Sequence, residues 1–129
     1  MSTPQTDVEI RVRYSECDAQ RVAHHAAYVV WLEIARTELL RKFGVAYRDL
    51  EDKGVFFVVT AVDIRYRSPA RYDDVITVHV RETRRTRVRI DHEYRIMRNG
   101  VELAAATTTI ACVDASGKPT AIPPGALGG

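Results

Sequence analysis

Apolar and polar residues alternate cleanly over residues 8–14, VEIRVRY. Val8, Ile10, Val12 and Tyr14 share one face while Glu9, Arg11 and Arg13 share the other, which predicts a half-buried strand. Residues 15–22 are polar and follow neither period, so a loop is expected there. Over residues 26–43 the pattern turns helical, with no Gly or Pro inside. Leu32, Ala35, Leu39 and Phe43 form one stripe, and Val29, Val30, Trp31 and Ile34 broaden it in the first half. The expected helix is about 27 Å long, buried on most sides early and amphipathic later. Arg41 and Lys42 suit the negative end of its dipole. Gly44 suits a left-handed C-terminal cap.

A polar connector follows, and then four apolar, β-branched runs. Residues 54–67, GVFFVVTAVDIRYR, read as a long strand. SPARYDD reads as a turn, because Pro69 is out of place in a central strand. Residues 75–82 give a third strand and TRRTR a short reversal. Residues 88–97 alternate again, with Val88, Ile90, His92, Tyr94 and Ile96 expected inward. Asn99-Gly100 marks a tight hairpin, and residues 101–114 make the last strand. The order is strand, long helix, then four meandering strands: an α+β fold. One helix cannot cover both faces of a five-stranded sheet, so pairing with another copy is expected.

Composition narrows the class. At 129 residues the chain reads as one domain, 1–129, ending in a Gly- and Pro-rich tail from about residue 115. It is 46% hydrophobic and 28% charged, which fits a packed core and not disorder. A net charge of +2 gives no bulk argument for nucleic acid or membrane. Only Lys42, Lys53 and Lys118 are lysines; the remaining cations are arginine, the better residue for forked contacts to phosphate or carboxylate. Base composition of the genome is an equally good account of that bias. Two cysteines, the lack of a signal-peptide pattern and the lack of a long apolar run point to a reducing, cytoplasmic setting.

Asp18 is the most informative polar residue. It lies just before a long helix whose first amides are unpaired and carry partial positive charge. A carbonyl oxygen held there would be polarised, and one such donor is typically worth about 10²–10³ in rate. A carboxylate beside it can attack the carbonyl carbon or deprotonate water. On composition and spacing alone the simpler reading prevails, that Asp18 caps a turn or the helix entry. His24 and His25 are adjacent and point about 100° apart on a helix, so they do not make one metal face; with no HExxH or CxxC, no metal site is expected. Cys17 reads either as a thiolate nucleophile or as a small buried residue. Arg84 and Arg85 either bind phosphates of a nucleotide-bearing ligand or keep a sheet edge solvated; Arg95 and Arg98 fit the solvated edge.

These residues resemble the 4-hydroxybenzoyl-CoA thioesterase-like branch of the hotdog-fold acyl-CoA thioesterases, along nearly the whole chain. The carriers are Asp18, HAAY from His25 to Tyr28, EIARTELL from Glu33 to Leu40, YRSPARYDD from Tyr66 to Asp74, ETRRTR and KPTAIP. The resemblance implies a hotdog fold, a five-stranded antiparallel sheet wrapped around one long central helix. It implies dimers joined sheet edge to sheet edge, often paired again as homotetramers, with active sites at the dimer interface. The substrate would be an acyl-CoA or acyl-carrier-protein thioester, with no metal or redox cofactor. Asp18 falls on the catalytic carboxylate, His25 on the position whose N–H polarises the carbonyl, and Tyr28 and Glu33 on motif positions of the helix. Arg84 and Arg85 fall where CoA phosphates are contacted, and Val59, Thr60 and Ala61 where the acyl pocket of the facing subunit is lined. Two features depart from the pattern: AQRV replaces a glycine-containing loop, bringing Arg21 close to the acid, and Ala27 replaces the usual Asn. A hotdog hydratase or dehydratase and a non-catalytic acyl-CoA binding module are the alternatives.

Overall fold

The computed structural model describes residues 3–123. The expected extent of the domain and its tail to residue 129 therefore lies partly outside the described residues. The elements run β1 (Gln5–Arg11), a 3-10 turn (Tyr14–Glu16), α1 (His25–Lys42), α2 (Tyr47–Asp52), β2 (Phe56–Tyr66), β3 (Val75–Arg85), β4 (Arg89–Arg98) and β5 (Val101–Val113). The strands form one antiparallel sheet in the order β1-β3-β4-β5-β2. Five antiparallel strands and a long helix are what the pattern predicts, but the meander holds only for β3 to β5. β2 pairs with β5 at the far edge, and β1 closes the other edge against β3.

The alternation in β4 puts Ile90, His92, Tyr94 and Ile96 on the inner face, all buried. Val88 precedes the strand and is only half-buried. Opposite them across β3 and β5 stand Val78, Val80, Ala104, Ala106 and Ile110. Onto this face α1 lays Ala27, Tyr28, Trp31, Leu32, Ala35, Leu39 and Leu40, a spacing near 3.6 residues. Val29 and Val30 are exposed, because the sheet embraces only one side of the helix. Phe43 is not part of the buried stripe either; it is the C-cap and faces solvent. Gly44 follows at φ +79, and its N–H bonds the Arg41 carbonyl, as the C-terminal cap requires.

Four further expectations are corrected. Tyr14 leaves the inner face of β1 and is 72% exposed, since the chain turns at Arg13 into the 3-10 segment and Tyr14 meets Tyr72 edge-on. The polar connector contains α2, a single amphipathic turn and a half that buries Leu50 beside Val45, Tyr47 and Val55. The reversal after β3 is shorter than TRRTR, because Thr83, Arg84 and Arg85 still belong to the strand. The helix starts one residue earlier than the pattern indicates, at His25. The Asn99-Gly100 hairpin is as expected, with both residues at positive φ.

Candidate active site

The polar loop after β1 is a tightly bonded structure. The Cys17–Ala23 bridge joins its ends, and the Asp18 N–H donates to the Val22 carbonyl at 3.0 Å. Asp18 Oδ1 accepts the N–H of Gln20 at 2.8 Å and of Val22 at 3.2 Å. These bonds hold Arg21 at φ +63, a conformation usually reserved for glycine. One oxygen of Asp18 thus caps its own loop, while Oδ2 accepts no hydrogen bond from the described residues. The loop is pinned in turn to the SPARYDD turn: Ala23 N–H donates to the Ala70 carbonyl and Tyr72 N–H to that of Arg21. Arg98 locks this turn, pairing with Asp74 at 2.6 Å and reaching the Pro69 carbonyl. It is half-buried there and does not belong to a solvated edge.

Glu16, which the pattern did not single out, and Tyr28, a motif position, anchor the loop to the helix. Buried Glu16 accepts the Trp31 indole N–H at 2.9 Å and the Arg13 N–H at 2.8 Å, and its carbonyl accepts the His24 N–H. Tyr28 is buried and its hydroxyl accepts the Ala70 N–H at 3.2 Å; burial holds this phenol above its usual pKa. Tyr28 is therefore a bracket between helix and turn. A Glu nine residues before a helix start gives no periodic signal, so Glu16 was not legible; Tyr28 was legible only through its motif.

His24 is the N-cap of α1 and makes no side-chain capping bond. The Ala27 N–H returns to the His24 carbonyl at 3.0 Å, leaving the His25 and Ala26 amides without an intrahelical partner. His25 lines a cleft of ≈ 210 Å³ together with Val22, Ala23, Tyr28, Tyr66, Arg67, Ser68 and Pro69. The His25 ring packs on Tyr66 at 4.8 Å, and Tyr66 meets Tyr28 edge-on at 5.0 Å. Asp18 itself does not line the cleft; its hydrogen-bonded neighbour Val22 does. Cys17 is poorly suited to act as a nucleophile: burial and the carboxylates of Glu16, Asp18 and Asp74 hold its thiol above the usual pKa.

The remaining candidates lie elsewhere. A bulge between Val59 and Ala61 splits that trio. Val59 stands opposite Ile110 on the inner face, Ala61 opposite Thr109 on the outer, and Thr60 bonds the Thr109 carbonyl from the bulge. A second bulge separates the two arginines. Arg84 is opposite Asp91 on the outer face and exposed, whereas Arg85 turns inward and grips Glu82 at 2.8 Å. Arg95 fits its expected place, exposed and paired with Glu102. Among the described residues no three His, Cys, Asp or Glu side chains converge as a metal site, and no helix is long and apolar enough to cross a membrane.

Comparison with known proteins gives the architecture a family. Residues 12–128 match the model of the thioesterase-like superfamily. The chain is 38% identical over 116 residues to the acyl-CoA thioesterase YbgC of Haemophilus influenzae, covering 88% of this chain and 85% of that one. It is 34% identical to the acyl-CoA thioester hydrolase YbgC of Escherichia coli O157:H7, with 88% and 87% covered. The crystal structure of a DHNA-CoA thioesterase from Staphylococcus aureus superposes with a TM-score of 0.88 at 28% identity, covering 91% of this chain and 80% of that one. With its five-stranded sheet, single long helix and a match over nearly its whole length, this chain belongs to the thioesterase-like, hotdog-fold superfamily.

Proposed function

We propose that the protein hydrolyses an acyl-CoA or acyl-carrier-protein thioester to a free carboxylic acid and a thiol. The observation that carries this is the uncapped start of α1 opening on a largely apolar cleft, with a carboxylate on the adjoining hydrogen-bonded loop. The thioester oxygen would sit against the His25 amide, where the helix dipole favours the negative charge it gains. Asp18 would act through Oδ2, either attacking the carbonyl carbon or taking a proton from water that does so. The C–S bond then breaks and the thiolate leaves; in the first route water next hydrolyses the acyl–Asp18 anhydride to the free acid, and in both routes the proton that water gives up goes to the thiolate. Water and these groups balance the reaction, so no metal or redox group is called for.

The reading includes a second copy of the chain. The inner face of β2 carries Val59, Val62 and Tyr66, which are 46%, 42% and 46% exposed. α1 lies over the β1 and β3 half of the sheet and leaves this apolar strip bare. Edge-to-edge pairing through β2 would cover it and place a neighbouring strand beside the cleft. In that arrangement Val59 is the member of its trio suited to face an acyl chain. Exposed Arg84 is a better candidate for a CoA phosphate than Arg85, whose guanidinium already serves Glu82.

Asp18→Asn separates the two roles of the acid, because the amide oxygen can keep the loop bonds while the charge is lost. The variant should fold as the wild type does and lose at least about 10²-fold in kcat/KM, read on short-chain, long-chain and aromatic acyl-CoAs and an acyl-carrier protein. A well-folded Asp18→Asn that retains most of the activity of an active wild type would overturn the mechanism.

A further inference from the structure

Between α1 and the sheet, three buried nitrogens have no hydrogen-bond partner: Nε of Arg36 and both ring nitrogens of His92. Both residues are more than nine-tenths enclosed, at 8% and 2% exposure. Arg36 comes from the middle of α1 and His92 from the centre of β4. The Arg36 Nη1 donates to the Tyr94 hydroxyl at 3.3 Å, and Tyr94 is bonded to Thr108 at 2.6 Å. The phenol of Tyr47, from α2, also faces the guanidinium. All of these partners are neutral.

Among the described residues no carboxylate is bonded to Arg36; those of Glu33 and Glu51 act on Tyr47. Glu82, His92 and Thr108 form one inward-facing rung across β3, β4 and β5. This rung separates the large apolar cluster around Trp31 from the smaller one of Leu40, Leu50, Ile90 and Ile110. The carboxylate on the rung, Glu82, is held through both oxygens by Arg85 at 2.8 and 3.0 Å. Arg36 forms no ion pair with a carboxylate among the described residues. Among the described residues the Arg36 guanidinium therefore meets no carboxylate, deep in a core where an uncompensated ion is costly.

We propose that Arg36 and His92 together form an internal binding site for one small monovalent anion. The Arg36 Nε–H and one imidazole N–H are two unused donors beside an unneutralised guanidinium, which is the donor set an anion needs. The enclosure sets the size class. Neither residue lines the cleft at the start of α1, so the seam is not part of that site. With both residues this enclosed, the anion proposed is of halide size, the kind that asks for least room, and it would tie helix to sheet. The site does not depend on the thioesterase reading.

The test is equilibrium urea unfolding at constant ionic strength, with chloride replacing gluconate. The wild-type unfolding constant should fall about tenfold for each tenfold rise in chloride above the Kd. Arg36→Met and His92→Phe should each abolish this dependence. A crystal soaked in bromide should show an anomalous peak within hydrogen-bond reach of Arg36 Nε. Unfolding indifferent to chloride overturns the proposal, as does a dependence that persists unchanged in the variants or a bromide map showing only water at Arg36. If Arg36→Met does not fold, the wild-type titration, His92→Phe and the bromide map still decide.

Discussion

In the proposed mechanism Asp18 serves folding and chemistry at once: Oδ1 closes the loop, and that closure leaves Oδ2 fixed in direction. Its position in turn depends on Glu16, two residues away. Glu16 ties the loop to α1 through Trp31 and to the 3-10 turn through the Arg13 N–H. Glu16→Ala would leave the buried indole N–H without an acceptor, a loss of about 1–3 kcal/mol. Urea unfolding should show that destabilisation, and kcat should fall even under conditions where the variant is fully folded, because the Asp18 loop loses its anchor. Glu16→Gln, which keeps an acceptor for Trp31, should lose less on both measures. Nothing in the local pattern marks Glu16, because its partner Trp31 is fifteen residues away and becomes a neighbour only once the helix has docked. The capping role of Asp18 was legible from its placement before a helix, whereas a catalytic role was favoured only by the family resemblance.

Among the elements, α1 and the β4–β5 hairpin were readable because their signals are local: a long apolar stripe ending at Gly44, and Asn99-Gly100 between alternating runs. α2 was missed because six residues are too few for a period to emerge. The place of β2 was missed for a different reason. Strand order is decided by which faces must be covered, and β2 pairs with a strand that begins 35 residues after it ends. The same placement yields a prediction. Val62 shares the exposed inner face with Val59, and a second copy is proposed to cover both. Val62→Asp forfeits the burial of a valine, about 1.5 kcal/mol or more, and adds the cost of a desolvated charge. Sedimentation should therefore show association weakened by at least about tenfold, with the monomer's fold intact by circular dichroism. Unchanged association would place the interface elsewhere.

For the molecule as a whole, the residues nearest the proposed chemistry were legible through motif and sequence position, whereas the polar seam was not. His92 was read correctly as inward-facing, but alternation says nothing about what meets it from α1. Burial, together with Arg36 and Arg85, lowers the pKa of His92 to about 4. An unfolded chain takes up its proton near pH 6.5, so between those values the unfolded state binds more protons than the folded one. The stability from neutral His92 is thus complete above about pH 6.5 and is lost as pH falls through 4. The loss between pH 7 and pH 4 amounts to about 3 kcal/mol. The carboxylates of Asp91, Glu102 and Asp114 add a separate, lower window. Hydrogen bonds from Arg89, Arg95 and Ser116 respectively depress their pKa values, so their contribution is kept until the pH falls below the ordinary carboxylate range. Urea unfolding across pH 7 to 4 in chloride-free buffer should show the wild type losing stability throughout, whereas His92→Phe should lack the His92 part of that slope. If both proteins fall in parallel, His92 is not the group that makes the folded molecule sensitive to mild acid.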